Sequence, residues 1–240
     1  MAPVPFDGAS REVDAGACFE WLRQGWAMFM ANPGVWIGSS VLTLVILLAI
    51  FIVPLFGQIA FSLLLPIFGA GLLQLCRHQA DAKEPQIADL FAGFLHNAGS
   101  LVMVGVVFAA GIFGVAFLGV LLVTGGILGG VVTGRVAGLG IVLGGVMLAS
   151  LLVLILSLPV IMATWFAPAL VFFHNMKPVD AMKASFAAAT KNWLAMGVFG
   201  TILMVAGFFA MLPLGMGFLL LLPIFCGAVY ASYRDIFVGI

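Results

Sequence analysis

The chain has 240 residues, of which 64% are hydrophobic and 8% charged, with a mean hydropathy of +1.29 and nine basic against nine acidic side chains. Soluble globular chains carry roughly 45–50% apolar and about 25% charged residues, so this composition excludes a soluble domain and predicts an integral membrane protein. A formal net charge of zero leaves no basic stripe for nucleic acid.

In chain order, "MAPVPFDGASREVDAG" carries acidic residues and lacks a basic stretch followed by an apolar core, so it does not read as a cleavable signal. Residues 1–16 are expected to be a cytoplasmic tail and residues 17–240 a single membrane domain. Sustained apolar runs predict membrane helices near 34–53, 58–76, 99–122, 141–172, 193–212 and 215–233. A helix needs about 20 residues at 1.5 Å each to cross a hydrocarbon core about 30 Å thick. The runs are not alternating ten-residue segments, which argues against a β-barrel. The expected fold is therefore all-α: a polytopic membrane helical bundle of about six transmembrane helices. The Pro/Gly links "VPLFGQ" (53–58) and "MLPLGMG" (211–217) make hairpins of the first and last pairs. Between 111 and 149 lies a glycine-rich insertion, within which "TGGILGGVVTGRVAGLG" (124–140) is read as a loop or partly re-entrant piece on the far side, with a broken additional helix as the alternative.

Charge placement gives an orientation. Arg11, Arg23, Arg77, Lys83, Lys177, Lys183, Lys191 and Arg234 fall on the side carrying both termini, and only Arg135 falls on the other. By the positive-inside rule this predicts a multi-pass protein of the bacterial inner membrane with both termini cytoplasmic.

An internal repeat accompanies this pattern. "GWAMFMAN" (25–32), "LFAGFLHN" (90–97) and "SFAAATKN" (185–192) share an aromatic, an alanine and a final asparagine; "LLLPIF" (63–68), "LSLPVI" (156–161) and "LLLPIF" (220–225) follow in the same order. Each unit (about 17–80, 85–176 and 178–240) reads as an interfacial amphipathic helix, an asparagine joint and a transmembrane hairpin whose return helix holds a proline. The three repeats are parallel. In the first amphipathic stretch, Phe19, Leu22, Trp26 and Phe29 recur at steps of three and four, with Glu20, Arg23 and Gln24 opposite. In the second, Ile87, Leu90, Phe91, Phe94 and Leu95 oppose Asp89 and His96.

Asn32, Asn97 and Asn192 could coordinate a ligand, but asparagine is also a favoured N-cap where one helix ends and another begins, and Pro33 suits a first helical turn. These four residues are read as structural joints. Pro66, Pro159 and Pro223 are read as repeat kinks, with broken helices around a substrate as the alternative. Arg77 and Arg234, each eleven residues after a repeat proline, mark the cytoplasmic interface. His78, His96 and His174 lack a metal-ligand spacing, and Cys18, Cys76 and Cys226 form no C-x-x-C pair, so no metal site, disulfide framework or cofactor is expected. The acids fall in hydrophilic connections, away from any dry pocket suited to acid-base chemistry. Apart from Arg135, no ionisable side chain falls in a predicted membrane core, which disfavours an ion-coupled pump.

The stretches "GWAMFMANPGVW" (25–36), "LLLPIFGAGLLQLCRH" (63–78), "LVFFHNMKPVDAMKASFAAATKNW" (170–193) and "YRDIF" (233–237) resemble a group of uncharacterised proteobacterial multi-pass inner-membrane proteins. A looser similarity extends to membrane domains that accompany glycerophosphodiester phosphodiesterases. The resemblance implies location and topology and carries no activity. The leading expectation is a non-enzymatic accessory or scaffolding subunit whose partners are membrane lipids and other membrane proteins or further copies of itself. The alternative is a carrier or binder of an apolar or lipid-like molecule, which a cavity lined by the three Leu-Pro segments would favour.

Overall fold

The computed structural model describes residue 6 and residues 8–54, 56–133 and 136–239. Among the described residues ten α-helices run α1 (Ala17–Ala31), α2 (Pro33–Phe51), α3 (Phe56–Ala80), α4 (Ala92–Leu95), α5 (Ala98–Thr133), α6 (Val136–Trp165), α7 (Ala167–His174), α8 (Pro178–Lys191), α9 (Trp193–Met211) and α10 (Phe218–Tyr233). A 3₁₀ turn, Ile87–Phe91, precedes α4, and a π turn, Arg234–Val238, follows α10. Among the described residues six segments are long and apolar enough to cross a membrane: Pro33–Phe51, Phe56–Ala80, Ala98–Thr133, Gly138–His174, Trp193–Met211 and Phe218–Val238. The all-α, six-span expectation holds.

The glycine-rich insertion is the main correction. Instead of a loop, its described residues are helical, α5 running to Thr133 and α6 starting at Val136, and the two helices pack on each other. Hydrocarbon leaves no water for unpaired backbone groups, so an apolar chain closes its own hydrogen bonds as helix even where glycine lowers propensity. The glycines serve close approach: a Cβ on Gly130 would lie 2.6 Å from the Gly138 carbonyl, and one on Gly126 would lie 3.1 Å from the Gly145 Cα. Arg135, the single basic residue assigned to the far side, lies outside the described residues.

The centre is built by α3 and α10. Of the α10 span 56% is buried within the protein, against 6% of the span containing α6, so the α5–α6 hairpin is peripheral. Pro66 and Pro223 are buried inside α3 and α10, whereas Pro159 is exposed on α6. Gly105 packs where a Cβ would meet the Ser62 carbonyl at 2.8 Å. Pro66 has no N–H to offer that carbonyl four residues back, so the α5 backbone can approach it closely.

The seam of α1 also differs from expectation. The buried stripe is Cys18, Trp21, Gly25 and Phe29, while Phe19 and Trp26 are exposed. Gly25 sets the rotation: a Cβ there would stand 2.3 Å from the Ile224 carbonyl, so α1 crosses α10 glycine on glycine at Gly25 and Gly227. The second stretch forms the 3₁₀ turn and the four-residue α4 in place of one amphipathic helix; Gly71 and Gly93 let it seat against α3.

Candidate functional site

Each predicted joint lies at a break between helices, and at none does the asparagine side chain cap the helix that follows. Asn32, between α1 and α2, has φ −142° and ψ 61°, and its side chain makes no capping bond. Pro33 is the first residue of α2. The neighbours hold this corner instead. Trp36 donates its indole N–H to Gln79 Oε1 at 3.0 Å, and Gln79 donates to the Met28 carbonyl at 2.7 Å, so α3 clamps both helices. Asn97 turns the chain with φ 59° and donates its amide to the Val171 carbonyl and to Asn175 Oδ1, at 3.1 and 2.7 Å. Asn192 Oδ1 accepts from the Val13 backbone, while its amide donates to the carbonyls of Arg11 and Ala188. At Asn97 and Asn192 the capping role is replaced because the amides reach distant segments that the sequence does not place beside them.

Asn192 thereby anchors the N-terminal segment. Arg11 pairs with Asp235, which also accepts the Trp21 indole N–H at 2.8 Å; Lys191 donates to the Ser10 carbonyl, and Phe6 stacks on His174 at 3.7 Å. These contacts bring the N-terminal segment, the α8–α9 joint and the C-terminal turn to one end of the bundle.

Two concave regions flank α3. One face lines an apolar, half-enclosed cavity of about 270 Å³. Its walls include Leu65 and Pro66 from the first Leu-Pro segment, Ile161 from the second, and Leu222 and Phe225 from the third. Pro159 and Pro223 are not among the lining residues. Thr43 and Thr164 also line this cavity, but the hydroxyls of both are spent on carbonyls of their own helices. Trp165 lines it too; its indole N–H has no acceptor among the described residues, and its ring stands edge-on to Phe199 and Phe225. Beyond that one N–H, the lining side chains offer dispersion contacts.

The opposite face of α3 borders a polar cleft of about 850 Å³, closed by residues 88–97 and the end of α7. Here His78 Nδ1 lies 2.9 Å from Asp89 Oδ2, and His78 Nε2 lies 2.8 Å from the Gln74 amide nitrogen. Asp89 directs the ring proton to Nδ1, which leaves Nε2 to accept from Gln74. Both nitrogens are occupied, so His78 holds the 3₁₀ turn against α3 and has no free lone pair to take a substrate proton. Asp89 Oδ2 also receives the Gln86 N–H, completing a capping box with the Gln86 side chain. Arg77 lies over Phe173 at 5.2 Å, and Arg234 over Tyr230 at 5.9 Å. No group of three or more His, Cys, Asp or Glu side chains suited to a metal occurs among the described residues. Sequence reasoning missed Gln79 and Asn175: a lone glutamine in an apolar run and an asparagine in a connection carry no local signal of the partners they meet.

Six apolar spans, short connections and polar groups gathered beside both termini define a multi-pass membrane protein. The chain is 28% identical over 197 residues to a Burkholderia thailandensis protein named as a probable inner membrane protein, an alignment that covers 79% of this chain and 73% of that one. No protein-family model and no solved structure matches the chain.

Proposed function

We propose that this is a non-enzymatic inner-membrane protein that binds an apolar or lipid-like molecule in the cavity between α2, α3, α5, α6 and α10, with both termini in the cytoplasm. The observation that carries this reading is the cavity itself: residues of all three Leu-Pro segments line it. At about 270 Å³ it is near the lower end of ligand-pocket volumes, and its apolar walls suit a hydrocarbon chain. Gly69 gives the test. It lines the cavity and a Cβ there meets nothing within 4 Å, so Gly69→Leu fills the space without forcing the backbone. A fatty acid carrying a photoreactive diazirine should crosslink to the wild type within this cavity and severalfold less to Gly69→Leu. Equal labelling of both at the cavity residues sinks the reading.

A second reading, the scaffold, has its own observation. Gly140 and Gly144 lie four residues apart on α6 with open space before each, a small-residue step of the kind that lets helices approach. Self-association through this step is tested with Gly144→Cys, since Cys18, Cys76 and Cys226 are buried and add little background. Crosslinked dimers in membranes support it; exclusively monomeric chains at matched protein-to-lipid ratios count against it.

A further inference from the structure

We infer that the polar cleft beside α3 is a binding site for a phospholipid headgroup, with the lipid phosphate seated against Arg77. The site goes beyond the apolar cavity, which occupies the other face of the same helix.

The first argument is chemical. Asp89 is the single carboxylate in the lining, and it is engaged by His78 and by the Gln86 N–H. The donors beside it keep capacity to spare. Arg77 makes no hydrogen bond among the described residues; its ion pair with Asp81 is long, at 3.9 Å, and both side chains are about half exposed. The Asn97 amide is spent on Val171 and Asn175, and Asn175 uses its oxygen to accept it, which leaves the Asn175 NH₂ without an acceptor. His96 contacts Phe172 by ring edge alone. A guanidinium, a carboxamide and an imidazole thus line one cleft with donor capacity to spare, and Phe173 beneath Arg77 limits the directions its fork can take. A tetrahedral oxyanion is the acceptor that satisfies several such donors at once, and a guanidinium matches it in two-point geometry.

Depth selects the source of that anion. Arg77 lies 21 residues beyond Phe56, the first residue of α3. At 1.5 Å per residue this is about 32 Å, one hydrocarbon thickness, which brings the guanidinium to headgroup level if α3 begins at the opposite boundary. The rim agrees: Leu95 is 78% exposed, and Phe91 and Phe94 are also exposed on the turn that closes the cleft. Apolar and aromatic side chains around a basic pocket suit an amphiphile whose acyl chains remain in the bilayer.

The test uses the full chain in nanodiscs of phosphatidylethanolamine and phosphatidylglycerol, released for native mass spectrometry. Wild type should retain a tightly held phospholipid. Arg77→Gln should lower its occupancy by about tenfold, the scale of one charged hydrogen-bonding contact, and Arg77→Lys should fall between the two. Asn175→Gly, which tolerates the positive φ, should also weaken retention. Gly69→Leu should leave this lipid in place, which separates the cleft from the cavity reading. Undiminished occupancy in Arg77→Gln overturns the inference. If Arg77→Gln does not fold, Arg77→Lys and Asn175→Gly decide, and wild-type retention by both overturns it. Inorganic phosphate added to the wild type is the other arm: no displacement at millimolar concentration supports a lipid headgroup, and full displacement assigns the site to a free anion and overturns it.

Discussion

Asn192, only 3% exposed, uses both ends of its amide: the oxygen takes the Val13 N–H and the nitrogen serves the carbonyls of Arg11 and Ala188. Asn32 occupies the matching place between α1 and α2 and makes no side-chain hydrogen bond among the described residues. The two joints should therefore respond differently to the same change. Asn192→Ala strands buried backbone groups and should cost about 1–3 kcal/mol, whereas Asn32→Ala should stay within about 0.5 kcal/mol. Thermal unfolding in mild detergent measures both. Loss of the Asn192 clasp should also speed tryptic cleavage after Arg11; equal cleavage in wild type and variant would show that other contacts hold the segment. Cys18 provides a pH test. It is fully buried, and burial pushes its thiol above the ordinary range. Burial withholds the thiol from reagent and, by raising its pKa, leaves less thiolate at a given pH, so maleimide labelling of Cys18 in the native protein should lag behind that of a free thiol as the pH rises from 8 to 9. Denaturant should remove the lag.

Among the helices, glycine position decides which faces meet. Gly25→Ala drives a methyl into the Ile224 carbonyl and should destabilise the α1–α10 crossing by about 1–3 kcal/mol. Gly114 on α5 has open space around it, so Gly114→Ala should be neutral or slightly stabilising through helix propensity. Thermal stability of this pair separates a packing role from a general effect of alanine, and equal shifts would contradict the crossing geometry. The apolar positions of α1 were legible in the sequence, but the face they present was not. Lipid tails are as apolar as leucine, so hydrophobic periodicity does not separate a side chain packed on α10 from one packed on lipid. Trp21 and Trp26 illustrate this: Trp21 is 1% exposed and Trp26, five residues on, 50%. The seat of Gly25 on α10 and the Trp21 hydrogen bond to Asp235 distinguish them.

For the whole molecule, the hairpin of α5 and α6 sets the proportions. At 36 residues α5 is about 54 Å long, against about 28 Å for the 19-residue α2 and α9. A tilt of 40°, the upper end of the usual range, still leaves about 41 Å along the membrane normal, more than the hydrocarbon core. The hairpin tip should therefore emerge on the side opposite the termini. Single cysteines at Leu128 or Val132, both exposed, should react with a membrane-impermeant maleimide added from that side. Protection at both positions would place the tip within lipid or a partner. Reporter fusions at the two ends should report a single compartment, the cytoplasm, and opposite compartments would overturn the six-span path.

Hydropathy, the spacing of prolines and the placement of charge were enough to determine an all-α membrane protein with six spans, because the cost of burying a charge or an unpaired peptide in hydrocarbon is local and large. The same local rules misread residues 124–140, where glycine suggests a loop in water but the described residues pack as helix in an apolar setting. Tertiary structure alone decided where the asparagine amides point, how α1 turns on α10, and that one face of α3 borders an apolar cavity and the other a cleft with spare donors. Those outcomes depend on contacts between segments up to 224 residues apart, as between Arg11 and Asp235, and no window of sequence contains both partners.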